Sequence, residues 1–265
     1  FLAVVLIRTA LFRPPAEERK TPQPVEFDRE GAVEALRELI RCRTVSFYDS
    51  SLEDDNEFEK LVNLLPKLYP EVARVCSLIR LPGRALLYKW EGERHDEPVV
   101  LMAHYDVVPV NEEGWTKPPF EAVVENGVLY GRGSADTKQT LNGILFAANH
   151  LIAQGFKPQR DIYFAFSGGE EVNGPGAVHI GDWFKERGIT PAFVLDEGGA
   201  VVDKIFPGVT RPCGLIGIAE KGLMNVEFRV ASAGGHSSAP KPHTPIGVLS
   251  RACCRLENRP FPMKL

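Results

Sequence analysis

Cysteine is sparse in this chain, and what is present follows no pairing pattern. The five residues, Cys42, Cys76, Cys213, Cys253 and Cys254, are odd in number and contain no C-x-x-C. No Asn-x-Ser/Thr acceptor occurs anywhere. A secreted disulfide framework is therefore not expected, and reduced thiols fit better. Basic residues do not cluster: 31 Lys and Arg are scattered among 35 Asp and Glu, for a net charge of −4. That argues against nucleic acid as a partner. Apolar runs are short, and the longest candidate, residues 1–12, falls short of the ~20 residues a bilayer span needs. It is read as either the tail of a membrane anchor or a frayed apolar terminus of a cytoplasmic protein. Several catalytic signatures are missing too. There is no P-loop, no G-x-S-x-G and no H-E-x-x-H. A nucleophile-elbow serine hydrolase and a zincin are thereby unsupported.

The remaining composition is that of a folded protein. Apolar residues make up 44% and charged residues 25% of 265 positions, ample for a sizeable core. Pro14, Pro15, Pro22 and Pro24 lie among charges in residues 13–25, which reads as an extended linker. Asp28 is a candidate N-cap for a helix in which Val33, Leu36, Leu39 and Ile40 recur at helical spacing. A second helix is expected over residues 57–69, with Phe58, Leu61, Val62, Leu65 and Leu68 inward. Strands are expected at 85–90, 99–103, 161–167 and 192–195. Helices at 137–154 and 177–187 alternate with them, closed by Gly155 and Gly188. This alternation predicts an α/β fold with a mainly parallel, mixed sheet and flanking helices. Residues 207–214, with two prolines and two glycines, read as a hinge. Beyond it, residues 223–230 alternate like a half-exposed strand and residues 246–256 like a helix, the expected start of a smaller α+β domain.

Chemistry-bearing side chains gather at one end of the expected strands. VVLMA runs into His104-Tyr105-Asp106, IYFAFS into Gly168-Gly169-Glu170-Glu171, and AFVL into Asp196-Glu197. Segments leaving the carboxyl ends of parallel strands converge on one rim. Singly, each acid reads as a solvated loop residue. Together they would repel unless a cation were present. A fourth segment, GRGSADTK over residues 131–138, superficially resembles a dinucleotide fingerprint, but Asp136 stands at the third glycine position and would face a pyrophosphate. The residues themselves point to a metal site of carboxylates and one His, of the kind that activates water.

The strings LMAHYDVVPV, GWTKPPFEA, GRGSADTK, SGGEEVNG, LDEGG and GGHSSAP, in that order over residues 30–265, resemble the M20 family of zinc metallopeptidases. Within it they are similar to the branch of carboxypeptidase S and the N-fatty-acyl-amino-acid hydrolases. The resemblance implies a catalytic domain with two zinc ions per complete chain, interrupted by a lid domain that mediates homodimerisation. It implies His104, Asp136, Glu171 and Glu197 as metal ligands, with Asp136 bridging. In the Asp196-Glu197 pair, Glu197 is taken as the ligand ahead of Asp196. Asp106 matches the acid that orients His104, Glu170 the general base, and His236 the lid residue that reaches a neighbouring active site.

Two positions depart from the family pattern: Gln139 stands where Gly is usual, and Gly169 where Asp is frequent. The family's last ligand is a further His, expected beyond Leu265. His95, His150, His179 and His243 are read as surface or structural. The domain expectation is a truncated apolar segment and linker over 1–27, an incomplete catalytic domain over 28–213 and the start of a lid over 214–265. An N-terminal fragment of this kind is expected to be inactive alone. The implied reaction is hydrolysis of an amide next to a free-carboxylate amino acid, with a peptide or N-acyl amino acid as substrate. The alternatives are a dipeptidase of the same family and a non-catalytic binding or assembly module.

Overall fold

A computed structural model describes residues 1–12 and 24–262, except 220, 221, 223, 237, 240, 241 and 261. Most of the expected 13–25 linker thus lies outside the described residues. The chain divides into two units, Phe1–Glu197 and Gly198–Leu265. The division falls ahead of the expected hinge at 207–214.

The first unit begins with α1 (Leu2–Leu11), none of whose residues is buried. No helix among the described residues is long and apolar enough to cross a membrane. Then follow α2 (Arg29–Ile40), α3 (Asp55–Leu68), α4 (Pro70–Val75), β1 (Ser77–Leu81), β2 (Ala85–Trp90) and β3 (Arg94–His104). A hairpin of β4 (Val123–Glu125) and β5 (Val128–Tyr130) precedes α5 (Lys138–Ala153), β6 (Arg160–Ser167), α6 (Gly176–Glu186) and β7 (Phe193–Leu195). Asp28 caps α2 as expected, its Oδ1 accepting the Gly31 amide at 2.8 Å. Val33 is the exception on that helix: it is exposed, and Ala35 instead shares the inward face with Leu39 and Ile40.

One sheet runs in the order β1-β2-β6-β3-β7. β1 and β2 pair antiparallel, as do β2 and β6, while β3 lies parallel to both β6 and β7. The period-two geometry of a strand divides its side chains between two helical layers. Leu86, Tyr88, Trp90, Phe164 and Phe166 face one core, built with α2, α3, α4 and α5. Ala85, Leu87, Val100, Tyr163 and Ala165 face the other, closed by Ile180 and Phe184 of α6. Tyr163 meets Phe184 edge-on, with ring centroids 4.9 Å apart. A sheet buried on both faces explains why β2 and β6 read as continuous apolar runs.

The second unit holds β8 (Val201–Val202), β9 (Cys213–Gly214) and α7 (Pro245–Asn258). The first two pair antiparallel, and α7 contains the helix expected at 246–256. The strand expected over 223–230 is not formed. Residue 223 lies outside the described residues, and 224–230 have no strand and are exposed throughout. Alternation supplies one apolar face, but a strand also needs a hydrogen-bonding neighbour, and the described residues provide none.

Candidate functional site

Register brings the acids together. His104 at the end of β3 is paired with Ser167 at the end of β6. The next residues of each strand therefore leave the same rim side by side. β7 joins from the other flank, with Leu101 opposite Leu195, and delivers Asp196 and Glu197. The Asp136 loop reaches the rim at the amino end of α5. Its position is fixed by Lys138, wholly buried, whose Nζ donates to the carbonyls of Leu39 at 3.0 Å and Cys42 at 2.6 Å. Burial pulls the Lys138 amine down to about 7.

Asp106 organises the rim from beneath. It is fully buried. Its Oδ1 accepts the Glu170 amide at 3.1 Å, and its Oδ2 accepts the Glu171 amide at 3.1 Å and the Ser46 hydroxyl at 2.7 Å. Ser46 is held there by a parallel bridge between Val45 and Val107 and by its own amide on the Val107 carbonyl at 3.0 Å. Burial alone would raise the Asp106 carboxyl, but His104 and Ser46 outweigh it and hold the group below the usual carboxylate range.

His104 is the meeting point. It is 2% exposed. Its Nδ1 lies 3.1 Å from the Asp106 carbonyl and 3.4 Å from the Asp106 carboxylate. Its Nε2 is 3.0 Å from Asp136 Oδ1, 3.2 Å from Glu197 Oε1 and 3.8 Å from Glu170 Oε2. Burial opposes protonation of this ring, yet Asp106 and Glu197 drive its pKa up to about 11. Glu197 is correspondingly lowered, chiefly by its bond to His104. Glu170 and Glu171 are raised, first by burial and then by the acids around them. Among the described residues, no ion pair links Asp136, Glu170, Glu171 or Glu197 to a lysine or arginine. Among the described residues His104 is thus the one basic group paired with these acids, and a set of this kind is a candidate for holding a cation. Two overlapping groups have oxygen and nitrogen donors close enough to share an ion: His104 with Asp136 and Glu171, and His104 with Glu170 and Glu197. Imidazole and carboxylate donors suit zinc.

Six of the residues singled out in the sequence thus converge: His104, Asp106, Asp136, Glu170, Glu171 and Glu197. Asp196 uses its carboxylate to accept the Glu197 amide at 2.8 Å. His236 belongs to the second unit, where its Nδ1 faces the Ser238 hydroxyl at 2.9 Å. Of the histidines read as structural, His95 pairs with buried Asp161 at 2.9 Å, and His150 contacts Gln154 at 2.9 Å. Nothing in the sequence marks Ser46, whose distance from Asp106 along the chain hides the contact, or Thr137, which helps to hold the Glu197 carboxyl low.

The sequence pattern of peptidase family M20/M25/M40 matches residues 100–262, the span that holds every one of these acids. The chain belongs to that family. An N-fatty-acyl-amino acid synthase/hydrolase PM20D1 from Xenopus tropicalis is 37% identical over 98% of this chain and 52% of its own length. A probable carboxypeptidase S-like 2 from Dictyostelium discoideum is 35% identical over 100% of this chain and 53% of its own. This M20 chain therefore spans about half the length of the curated relatives it matches. Among solved structures, an M20 family metallo-carboxypeptidase from Sulfolobus solfataricus superposes with a TM-score of 0.51 at 24% identity. It covers 67% of this chain and 39% of that one. The likeness supports the mixed sheet and flanking helices expected from the sequence.

Proposed function

We propose that this chain carries the metal-holding rim of an amide hydrolase acting next to a free-carboxylate amino acid, as a carboxypeptidase or an N-acyl-amino-acid hydrolase. The observation that carries this reading is the convergence of Asp136, Glu170 and Glu197 on His104 Nε2 at 3.0–3.8 Å, with no lysine or arginine among the described residues paired to them. His104, Asp136, Glu171 and Glu197 would hold the zinc, two ions per complete chain in this reading. When bound, such ions supply the charge that lowers the pKa of a water and polarises a carbonyl. Asp106 orients His104 and fixes both glutamate amides. Glu170 takes the proton of the attacking water and delivers it to the leaving nitrogen, a role consistent with its raised pKa.

The second unit, in this reading, begins a lid through which two copies associate, and His236 helps to hold the substrate of a neighbouring site. His236→Ala is then expected to lower kcat in the dimeric enzyme and leave metal content unchanged.

The test of the whole reading is metal content. After dialysis against zinc, the folded chain should retain the ion, and His104→Ala should abolish retention. Folded protein without bound metal would overturn the proposal. Glu197→Gln and Asp196→Asn, compared in the same assay, decide which member of that pair is the ligand. Loss with Glu197→Gln alone is expected.

A further inference from the structure

Two segments that bring acids to the rim are far apart in sequence: Tyr105–Val107, which continues β3 beyond His104, and the Asp136 loop, which opens α5. A third stretch, Leu39–Ser46, carries the chain out of the end of α2 and is bonded to both.

At its start this stretch takes Lys138, two residues after Asp136. The buried amine donates to the carbonyls of Leu39 at 3.0 Å and Cys42 at 2.6 Å. Carbonyls in the last turn of a helix lack partners within it, so the end of α2 offers a buried donor the acceptors it needs. At its other end the stretch runs beside Tyr105–Val107. Thr44 and Ser46 are both buried. The Thr44 hydroxyl donates to the Tyr105 carbonyl at 2.5 Å, and the Thr44 carbonyl accepts the Val107 amide at 2.9 Å. Ser46 donates its amide to Val107 and its hydroxyl to Asp106. Each residue from Tyr105 to Val107 is therefore bonded to Thr44 or Ser46.

Between the two ends there is no slack. The Thr44 amide donates at 2.9 Å to the carbonyl of Cys42, the same oxygen that Lys138 bonds. The Arg43 amide, between them, donates to Glu57 of α3 at 2.7 Å. One buried carbonyl thus receives the Asp136 loop from one side and the strand-end segment from the other.

We propose that Leu39–Ser46 is a positioning element for the metal site, with the Cys42 carbonyl as the node that holds the Asp136 loop and the His104–Val107 segment to one another. Lys138, Thr44 and Ser46 are its positioning residues. This rests on the metal-holding reading of the acids. Groups that support metal ligands in this way contribute about 10- to 100-fold in metal affinity.

The experiment combines amide hydrogen exchange of the metal-free chain with zinc titration, for wild type, Lys138→Met, Thr44→Val and Thr44→Ser. Lys138→Met removes the donor and should speed exchange at Ser46 and Val107 about fivefold or more, although neither amide is bonded to Lys138. Thr44→Val keeps the shape and removes the hydroxyl. It should speed exchange at Thr140 and Leu141, whose amides bond the Thr137 carbonyl at the start of α5. Thr44→Ser keeps the hydroxyl and should leave both regions as in wild type. Effects confined to each variant's own side of the node, or equal effects of Thr44→Val and Thr44→Ser, overturn the proposal. If Lys138→Met does not fold, the Thr44 pair decides alone. Zinc affinity should fall about 10- to 100-fold in Thr44→Val and return in Thr44→Ser. Unchanged affinity in folded Thr44→Val overturns the positioning role. Exchange effects that cross the node in a chain that holds no zinc support the tie and count against the metal reading, so the two failures are distinguishable.

Discussion

Asp106→Asn tests the framework beneath the rim with little change of volume. The wild-type carboxylate accepts the Glu170 amide on one oxygen and the Glu171 amide and Ser46 hydroxyl on the other. Asparagine offers one oxygen and one NH₂. The Ser46 hydroxyl can turn to accept, so its bond survives. The two backbone amides cannot: whichever way the new side chain is placed, one N–H faces a donor. A buried N–H left without an acceptor costs about 1–3 kcal/mol, and the lost anion beside His104 adds about 1.5–3 kcal/mol. With only partial additivity between neighbours, the expected loss is about 3 kcal/mol. All three tryptophans, Trp90, Trp115 and Trp183, lie in residues 1–197, so urea denaturation followed by tryptophan fluorescence reports on the first unit alone. The pH dependence supplies a second check. Because the Asp106 carboxyl is held below its ordinary range, its contribution is complete above that range and is lost as pH falls through the folded-state value. The gap between wild type and variant should therefore be widest near neutral pH and close in acid. A loss under about 0.5 kcal/mol at pH 7, or a gap that widens on acidification, would refute the hydrogen-bond argument.

Gly168→Ala should destabilise the first unit by about 1–3 kcal/mol in the same assay. The new Cβ would stand 2.6 Å from Cζ of Tyr105, a ring pinned by its bond to the Arg84 carbonyl at 2.6 Å. In metal-free protein the His104 imidazolium contributes stability that is complete below its unfolded value of 6.5 and is lost as pH rises towards about 11. Urea midpoints at pH 6 and pH 9 measure this, and the decline should be absent in His104→Gln. Glu170→Gln should keep zinc and lower kcat by ~10²-fold or more, whereas Glu171→Gln should lose zinc affinity and regain activity in excess metal. Metal content and kcat measured together would expose a swapped assignment.

Local signals identified much of the first unit. The helices and the strands of the sheet's buried half follow from periodicity, because one stripe or one face of each is committed to a core. Gly155 and Gly188, at φ +77° and +63°, end α5 and α6 where the sequence places a stop. The less visible elements are those without a committed face. β1 has no residue that is fully buried, and the β4–β5 hairpin is only three residues a side. Val33 has the right spacing on α2, yet it is exposed while Ala35 takes the inward face. Residues 224–230 show the opposite failure, an alternating pattern with no pairing neighbour among the described residues.

The site divides along the same line. Its acids are legible because ionised groups at the ends of apolar strands contradict the pattern around them, and that contradiction needs a chemical reason. The groups that hold those acids in place are not, because their own residue types are unremarkable and their partners are distant in sequence. Ser46 could satisfy itself with water in any loop. Only the parallel bridge of Val45 with Val107 turns it into a donor for Asp106. Lys138 is hidden in the same way: in sequence it is one more charged residue opening a helix. In the fold it is a buried amine, tying the Asp136 loop to the end of α2 through two carbonyls. What a sequence displays is the charge that function requires. The hydrogen bonds that aim that charge depend on sheet register, and register is set by the core as a whole.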